Sequence, residues 1–394
     1  MSDPRDLPNA KTSPDVVRAL DQLVLKGLEL RASDIHIEPK EHMLRVRMRV
    51  DGVLVEQRPL PDTYAQPMIS RIKVLGRMDI AERRAPQDGT FTFQAEGSPA
   101  VAVRASIFPS MSGEKAVLRL LLGGKLLGLD ELGTSPEQSE TLRRMSQRPG
   151  GLILVTGPTG SGKTSTLYAL LNELDADRRN VVTLEDPIEV PVARITQGQI
   201  EPKAGFTFAT GLRSILRQDP DVILVGEIRD VETARIAVQA SLTGHLVLST
   251  LHSNSSADTM LRLVDMGIEA YIVANALICV VAQRLVRTLC PACAELHTTD
   301  PALIDELGFP APGLERTLRS TGCARCLKTG FKGRSAIFDV VPIDDEIRAV
   351  IKTAQTSLEI KKVLGRKGLP TLRRAGVDLV ATGQTTLAEV LRVT

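Results

Sequence analysis

Following Pro14, apolar residues recur at Val17, Leu20, Val24 and Leu28, which predicts a helix over DVVRALDQLVLKGLEL. The pattern then becomes short and alternating in SDIHIEP, HMLRVRMRVDGVLVEQ, GTFTFQ and AVAVRASIFP. Within LRVRMRVDGVLVE the period is two, and Asp51-Gly52 falls where a hairpin turn belongs. Between these strands, YAQPMISRIKVLGRMDIAERR reads as a helix. Residues 15–120 are therefore expected to form a small α+β domain, preceded by a polar flexible arm at 1–14. The Gly-rich LLGGKLLGLDELGTSPEQ reads as a linker over 121–135, leading to a helix capped near Ser135.

From residue 150 the pattern changes again. GLILVTG, VVTLEDP, DVILVGE and LVLSTL read as buried strands, and STLYALLNEL, RSILRQDP and ETARIAVQASL as helices between them. Apolar strands alternating with helices predict a parallel sheet covered on both faces. This second domain is expected over 136–394, with a cysteine subdomain at 288–333 and amphipathic helices at 344–394.

Composition narrows the class. The chain has 394 residues, enough for two or three domains, with 43% hydrophobic and 24% charged residues. There is no tryptophan and only 3% aromatic content, so the core must be built from aliphatic side chains, which suits a helix-rich α/β architecture. The net charge of +2 is too small for a nucleic-acid footprint. The N-terminus is unlike a signal peptide. The longest apolar stretch, YIVANALICVVAQRLV, has 16 residues and contains Asn275, Gln283 and Arg284, too short and too polar to span a membrane. A cytosolic protein is expected, with any membrane association made through partners.

GLILVTGPTGSGKTST has the form strand, GxxxxGK[ST], helix. The glycines Gly157, Gly160 and Gly162 let backbone N–H groups wrap a phosphate chain, and the following helix turns its positive end to the anion. Lys163 is expected to reach the β- and γ-phosphates and Thr164 to ligate Mg²⁺, with Pro158, Thr159, Ser161 and Ser165 completing the nucleotide-binding loop. Further carboxylates should lie at the ends of neighbouring parallel strands. VVTLEDPIE offers Glu185, Asp186 and Glu189, and DVILVGEIRD offers Glu227. Position favours catalysis for Glu185 and Glu227 over helix capping, whereas Asp230 and Glu232 read as caps.

In their order along the chain, GPTGSGKTST, VVTLEDPIE, LRSILRQDPDVILVGEIRD and ASLTGHLVLSTLHSNSS resemble the Walker A motif, aspartate box, Walker B motif and histidine box of secretion-superfamily ATPases. These are the hexameric motors of type II secretion and type IV pilus assembly. ASDIHIEP, MISRIKVLGRMDIAERRAPQDG and GEKAVLRL look like the family's second N-terminal domain, and CPAC with GCARC like its cysteine domain. The resemblance implies a RecA-like P-loop core behind a PAS-like α+β domain, and a homohexamer hydrolysing ATP with Mg²⁺. It implies peripheral attachment to inner-membrane assembly platform proteins from the cytoplasmic side. It also implies Glu185 as catalytic base and Glu227 as organiser of Mg²⁺, with Arg213 and Arg217 contacting nucleotide or a neighbouring subunit. Arg104 and Arg119 would supply guanidinium groups to the phosphates across an interface. Many of these motors carry a further domain before ASDIHIEP. Here only a short arm precedes the first helix, so the expectation is a piece of a longer chain or a shorter branch, like competence or pilus-type motors.

Cys290 and Cys293 form one CxxC and Cys323 and Cys326 another, after a gap of 29 residues that a helical segment is expected to fill. Two such pairs suit a closed tetrahedral Zn²⁺ site, with disulfides as the rival disfavoured in a cytosolic protein. Cys279 reads as a core thiol. His252, at the end of LVLSTL, is expected near the nucleotide with Thr250 and Ser253, where it senses γ-phosphate or bound water. His245, at the strand's start, is expected on the opposite edge in a structural or interface role. A P-loop nucleic-acid translocase is the alternative function, disfavoured by the near-neutral charge and absence of aromatic-basic interleaving. A scaffold that binds ATP without turnover is disfavoured by Glu185 and Glu227.

Overall fold

The computed structural model describes residues 16–95, 100–121 and 126–394. The arm expected at 1–14 and residues 122–125 of the expected linker lie outside the described residues. The chain divides into two compact units. One comprises 1–124 with the segments 290–293 and 320–332, and the other 125–289, 294–319 and 333–394. All four cysteines of the expected cysteine subdomain thus group with the first unit rather than with the P-loop domain.

The first unit contains α1 (Val16–Glu29), β1 (Asp34–Lys40), β2 (Met43–Val50), β3 (Val53–Glu56), α2 (Ala65–Leu75), β4 (Gln87–Phe93), β5 (Val101–Ser110) and β6 (Gly113–Leu121). The strands form an antiparallel sheet in the order β3-β2-β1-β6-β5-β4. Period-two alternation puts Ile35, Ile37, Val46, Met48, Val103, Ile107 and Leu118 on one face, in a core with Leu20, Leu23, Met68 and Ile72 of the two helices. Asp51 and Gly52 turn the β2–β3 hairpin with φ of 48° and 84°, the left-handed pair that a two-residue turn needs. The helix expected over residues 64–84 is shorter than its sequence pattern. It stops at Leu75, where Gly76 caps it and Arg77 turns left-handed at φ 55°. Asp79 then accepts from the Ala81 amide at 2.8 Å, and the fully buried Lys73 donates to the Glu82 carbonyl at 2.6 Å while pairing with Glu114 at 2.7 Å. These bonds hold MDIAERR as turns rather than helix. Both buried ring nitrogens of His36 on β1 lack a hydrogen-bond partner among the described residues.

The second unit begins with α3 (Pro136–Ser146), β7 (Gly151–Thr156), α4 (Lys163–Asn172), β8 (Val181–Glu185), β9 (Thr196–Gln199), α5 (Phe208–Ile215), β10 (Val222–Val225), α6 (Val231–Leu242) and β11 (Leu246–Leu251). It continues with α7 (Ser256–Asp265), α8 (Ala270–Ala276), β12 (Leu277–Leu289), β13 (Ala294–Thr298), α9 (Pro301–Asp305), β14 (Arg316–Ser320) and β15 (Phe331–Pro342), the last two each shared with the first unit by a residue or two. Four helices close the chain: α10 (Asp345–Thr353), α11 (Ser357–Arg366), α12 (Leu372–Ala381) and α13 (Leu387–Val393). Ser135 caps α3 in a reciprocal box with Gln138, as the sequence predicts.

A seven-stranded sheet runs in the order β15-β12-β7-β11-β10-β8-β9, and every pair from β12 to β9 is parallel. Both faces are covered. Leu152 and Leu154 of β7 enter one apolar cluster, and Ile153 and Val155 the opposite one. YIVANALICVVAQRLV, read only as a short apolar run, is α8 followed by most of β12, a buried strand next to β7. The segment between the CxxC pairs is mainly the two-stranded β13–β14 sheet, with α9 as its one short helix, rather than the expected helical insertion. Among the described residues no helix is long and apolar enough to cross a membrane.

Candidate active site and metal centre

Gly157 to Gly162 bridge the end of β7 and the start of α4. Gly157, Gly160 and Gly162 have φ of 151°, 78° and 90°. At Gly157 and Gly162 a side chain is also excluded by space. A Cβ on Gly157 would meet the Gln283 carbonyl at 2.5 Å and Ser161 Oγ at 2.6 Å, and one on Gly162 would meet Gln283 Nε2 at 2.8 Å. Ser161 is buried, and its Oγ has no hydrogen-bond partner among the described residues. A buried hydroxyl left unpaired in a loop of this shape is a donor awaiting an acceptor, and a phosphate oxygen supplies one. Lys163 folds back on the loop, donating to the carbonyls of Gly157 at 2.8 Å and Pro158 at 3.1 Å. Its ammonium pKa is lowered by burial and by the nearby Arg284, against the opposing pull of Glu227. Thr164 is exposed at the first turn of α4. These residues fit a nucleoside triphosphate with Mg²⁺, which Thr164 and Glu227 would hold.

Strand order brings the other motifs alongside. β11 lies between β7 and β10, so His252 and Glu227 follow adjacent strand ends. The Glu227 carboxylate contacts Arg229, and its second oxygen lies 3.4 Å from His252 Nε2. The hydroxyls of β11 have a different employment from the one expected. Ser249 donates to the Val225 carbonyl at 2.7 Å and Thr250 to the Gly226 carbonyl at 2.9 Å. They fasten the strand end that presents Glu227, so Thr250 is not available as a phosphate sensor. Thr156 adds a bond of 3.2 Å to the Ser253 carbonyl, which ties the phosphate-loop strand to the loop after β11. His245 occupies the other end of the strand, its Nδ1 3.0 Å from the Ala240 carbonyl at the end of α6. Asp230 caps α6, accepting from the Thr233 amide at 2.7 Å.

Glu185, expected as catalytic base, is enclosed by donors in this structure. It is 4% exposed at the end of β8, and both carboxylate oxygens are engaged. Tyr168 of α4 donates to one, while Thr183 at 2.6 Å and Gln197 at 3.0 Å donate to the other. A carboxylate so engaged has to exchange one of these donors before it can take a proton from water. It anchors the turn carrying Asp186 and Glu189, both exposed. Burial and the bond to Glu185 push the Tyr168 phenol well above its ordinary range, so it remains a donor throughout the physiological range. Tyr168→Phe leaves a buried carboxylate oxygen short of a donor and should cost about 1–3 kcal/mol. The check is the urea midpoint of the transition that unfolds the second unit, and an unchanged midpoint refutes this anchoring role.

Among the described residues, the expected arginines are not brought to the loop by any contact within their own units. Arg213 of α5 pairs with Glu232 at the start of α6, and Arg217 donates to the Arg213 carbonyl at 2.8 Å. Arg104 and Arg119 stand opposite each other on β5 and β6, and Arg119 pairs with Asp34 at 2.9 Å. Two residues the motifs did not reveal do touch the loop. Gln283, 1% exposed on β12, accepts from Thr166 Oγ1 at 2.7 Å and backs Gly157 and Gly162. Arg284 follows it. Polar residues inside an apolar strand were the available signal.

The Sγ atoms of Cys290, Cys293, Cys323 and Cys326 all lie within 4.8 Å of one another. Cys290–Cys323 and Cys293–Cys326 are separated by 3.9 Å and Cys323–Cys326 by 3.8 Å. Tetrahedral Zn²⁺ with Zn–S bonds near 2.3 Å has S···S edges of about 3.8 Å, whereas a disulfide needs about 2.05 Å. All four thiols are free. Burial raises the Cys326 pKa, but the Cys323 and Gly330 amides, donating at 3.1 and 3.2 Å, and the neighbouring thiols outweigh it and bring it to about 7. The set fits zinc. Cys279 is buried on β12, its thiol pushed up to about 12 by burial, as a core residue should be.

A phosphate loop at the end of a central parallel strand, flanked by a strand-end glutamate and a histidine, defines a P-loop ATPase. Residues 9–392 match the family described as Type II/IV secretion system protein, and the chain belongs to it. It is 47% identical over 397 residues to the type II secretion system protein E of Pectobacterium carotovorum subsp. carotovorum, covering 100% of this chain and 78% of the relative. It is 45% identical over 392 residues to the type II secretion system ATPase E of Vibrio cholerae, covering 99% and 77%. The fold is similar to that of the Legionella pneumophila ATPase DotB, with a TM-score of 0.71 at 22% identity over 98% of this chain and 97% of that one.

Proposed function

We propose that the chain is the subunit of a homohexameric, Mg²⁺-dependent motor that hydrolyses ATP to power type II protein secretion or type IV pilus-like assembly. It works from the cytoplasmic side of the inner membrane, held there through platform proteins. The observation that carries this reading is the phosphate loop with its unpartnered buried Ser161 hydroxyl, beside Glu227 and His252 on neighbouring strand ends. Lys163 would turn from the Gly157 and Pro158 carbonyls to the β- and γ-phosphates, and Thr164 and Glu227 would hold Mg²⁺. When bound, the metal neutralises charge on the phosphate oxygens. Glu185 positions the following turn, and an exposed carboxylate of that turn, Asp186 or Glu189, receives the proton of the attacking water. The six-stranded sheet with its helices supports the PAS-like reading of the first unit, and zinc in the cysteine cluster is structural.

Arg104 and Arg119 are exposed on adjacent strands, while the phosphate loop belongs to the other unit. Their reading as phosphate ligands therefore requires an interface, and a ring in which they act on a neighbouring subunit provides one. Arg213 on α5 and Arg217 just beyond its end, both exposed, are assigned the same kind of contact. Mixing Arg104→Ala subunits with Lys163→Ala subunits tests this. Each alone should form six-copy rings by native mass spectrometry and hydrolyse little ATP, and the mixture should recover part of the activity. A chain that never exceeds a monomer with Mg-ATP overturns the ring. Mixed rings that recover nothing overturn the action across subunits.

A further inference from the structure

Arg284 is a cation with no anion. Its guanidinium spans three backbone carbonyls from three parts of the second unit. It donates to Gln283 on β12 at 3.0 Å, to Asn254 in the loop after β11 at 2.7 Å, and to Val393 at the end of α13 at 3.2 Å. No carboxylate lies within ion-pair distance of it among the described residues. Neighbouring arginines of the same region are paired. Arg287 and Arg392 both close on Glu389, at 2.7 Å each. A half-buried guanidinium is costly unless it has a counterion, and carbonyl dipoles compensate it only in part. Burial accordingly lowers its pKa.

The missing anion has an evident place. One guanidinium nitrogen lies 3.2 Å from where a Cβ on Gly157, the first glycine of the phosphate loop, would stand, and close enough to Lys163 to depress its pKa. Two cations beside an unpartnered Ser161 hydroxyl, with Glu227 the nearby carboxylate, suit a polyanion such as a phosphate chain. We propose that Arg284 is a phosphate ligand supplied by the nucleotide's own subunit, binding the phosphate chain beyond the α-phosphate. To do so it gives up the Asn254 and Val393 carbonyls. The planar fork suits phosphate better than separate carbonyls, so a triphosphate outcompetes them.

This exchange has a consequence for the chain's last helix. α13 is tied to β12 at two points. Glu389 accepts from the Arg287 backbone and side chain at 3.0 Å, and Val393 accepts from Arg284. Nucleotide leaves the first tie intact and removes the second. The end of α13 and the loop after His252 are therefore loosened together when the loop fills.

The inference rests on the proposed nucleotide site, and its test separates the two. Affinities for AMP, ADP and ATP are measured by competition against a fluorescent ADP analogue on the full chain, as wild type, Arg284→Gln and Arg284→Lys. Arg284→Gln should bind ADP and ATP about tenfold or more weakly and AMP as well as wild type does, and Arg284→Lys should recover part of the loss. In the wild type, ATP should increase amide exchange over 387–393. In Arg284→Gln that exchange should be high already and indifferent to ATP. Wild type that binds no nucleotide overturns the proposed function itself. Wild type that binds while Arg284→Gln retains ADP and ATP affinity overturns the role of Arg284. An equal loss for all three nucleotides assigns Arg284 to the architecture and overturns the inference as well. If Arg284→Gln does not fold, Arg284→Lys is read alone, and unaltered ADP and ATP affinity together with unaltered exchange over 387–393 overturns the proposal.

Discussion

Replacing Lys163 with alanine should lower ATP hydrolysis by roughly 10²–10³-fold, with most of the nucleotide affinity lost as well. The ammonium is already partly desolvated and already within the field of Glu227, and among the described residues its only hydrogen-bond partners are two loop carbonyls that a phosphate replaces. Its charge is therefore in place before substrate arrives, and no other residue of the loop carries one. Glu227→Gln should separate the two effects. The amide keeps the shape and still meets His252 but cannot organise a divalent cation. Turnover should fall about 10²-fold or more while ADP binding without Mg²⁺ stays at the wild-type level. The measurements are phosphate release from the assembled protein and equilibrium binding with and without Mg²⁺. Hydrolysis that survives Glu227→Gln would remove Glu227 from the metal site. A Lys163→Ala protein that binds and hydrolyses normally would remove the loop from the chemistry.

The parts of this site that were legible in the sequence are those in which the backbone itself does the binding. GxxxxGK[ST] is readable because Gly157 and Gly162 occupy conformations and spaces closed to other residues. Strand ends were readable for a related reason. Parallel order places Glu227 and His252 together without reference to their side chains. Side-chain employment was not readable. Glu185 stands at a strand end like Glu227, but its oxygens are taken by Tyr168 from α4 and Gln197 from β9, and that cannot be inferred from VVTLEDPIE alone. Thr250 looked like a sensor and is a clamp on Gly226.

β12 was missed for another reason. A short apolar run carries no period that distinguishes a buried strand from a buried helix. Gln283 and Arg284 were counted as arguments against a membrane span, when two polar residues ending a buried run were the mark of a strand entering a site. In YAQPMISRIKVLGRMDIAERR the helical pattern continued past the helix. A left-handed Arg77 and a buried Lys73 reaching the Glu82 carbonyl, both tertiary features, ended it at Leu75.

Depriving the cysteine cluster of the Zn²⁺ proposed for it should have the largest structural effect. The thiols lie 3.8–3.9 Å apart along three edges of the cluster, with Cys326 held towards its thiolate by two amide N–H groups. Four thiols at this separation have no mutual attraction that would keep them there. Without a cation the charges on the thiolates repel, and with protons the S–H groups are weak donors. A structural Zn²⁺ contributes apparent binding free energy of about 10–16 kcal/mol, far above what the short β13–β14 sheet can supply. The protein as purified should therefore contain one Zn²⁺ per chain by elemental analysis. Cys326→Ser should lose it, since it removes both a ligand and the acceptor of the Cys323 and Gly330 amides. Amide exchange over 290–330 should then rise to that of an unfolded segment, while β7 and β11 keep their protection. Protection of the phosphate-loop strand distinguishes this from general unfolding. A chain that holds no metal, and whose cysteines are recovered as disulfides without reductant, would instead support the disulfide alternative that the spacing left open.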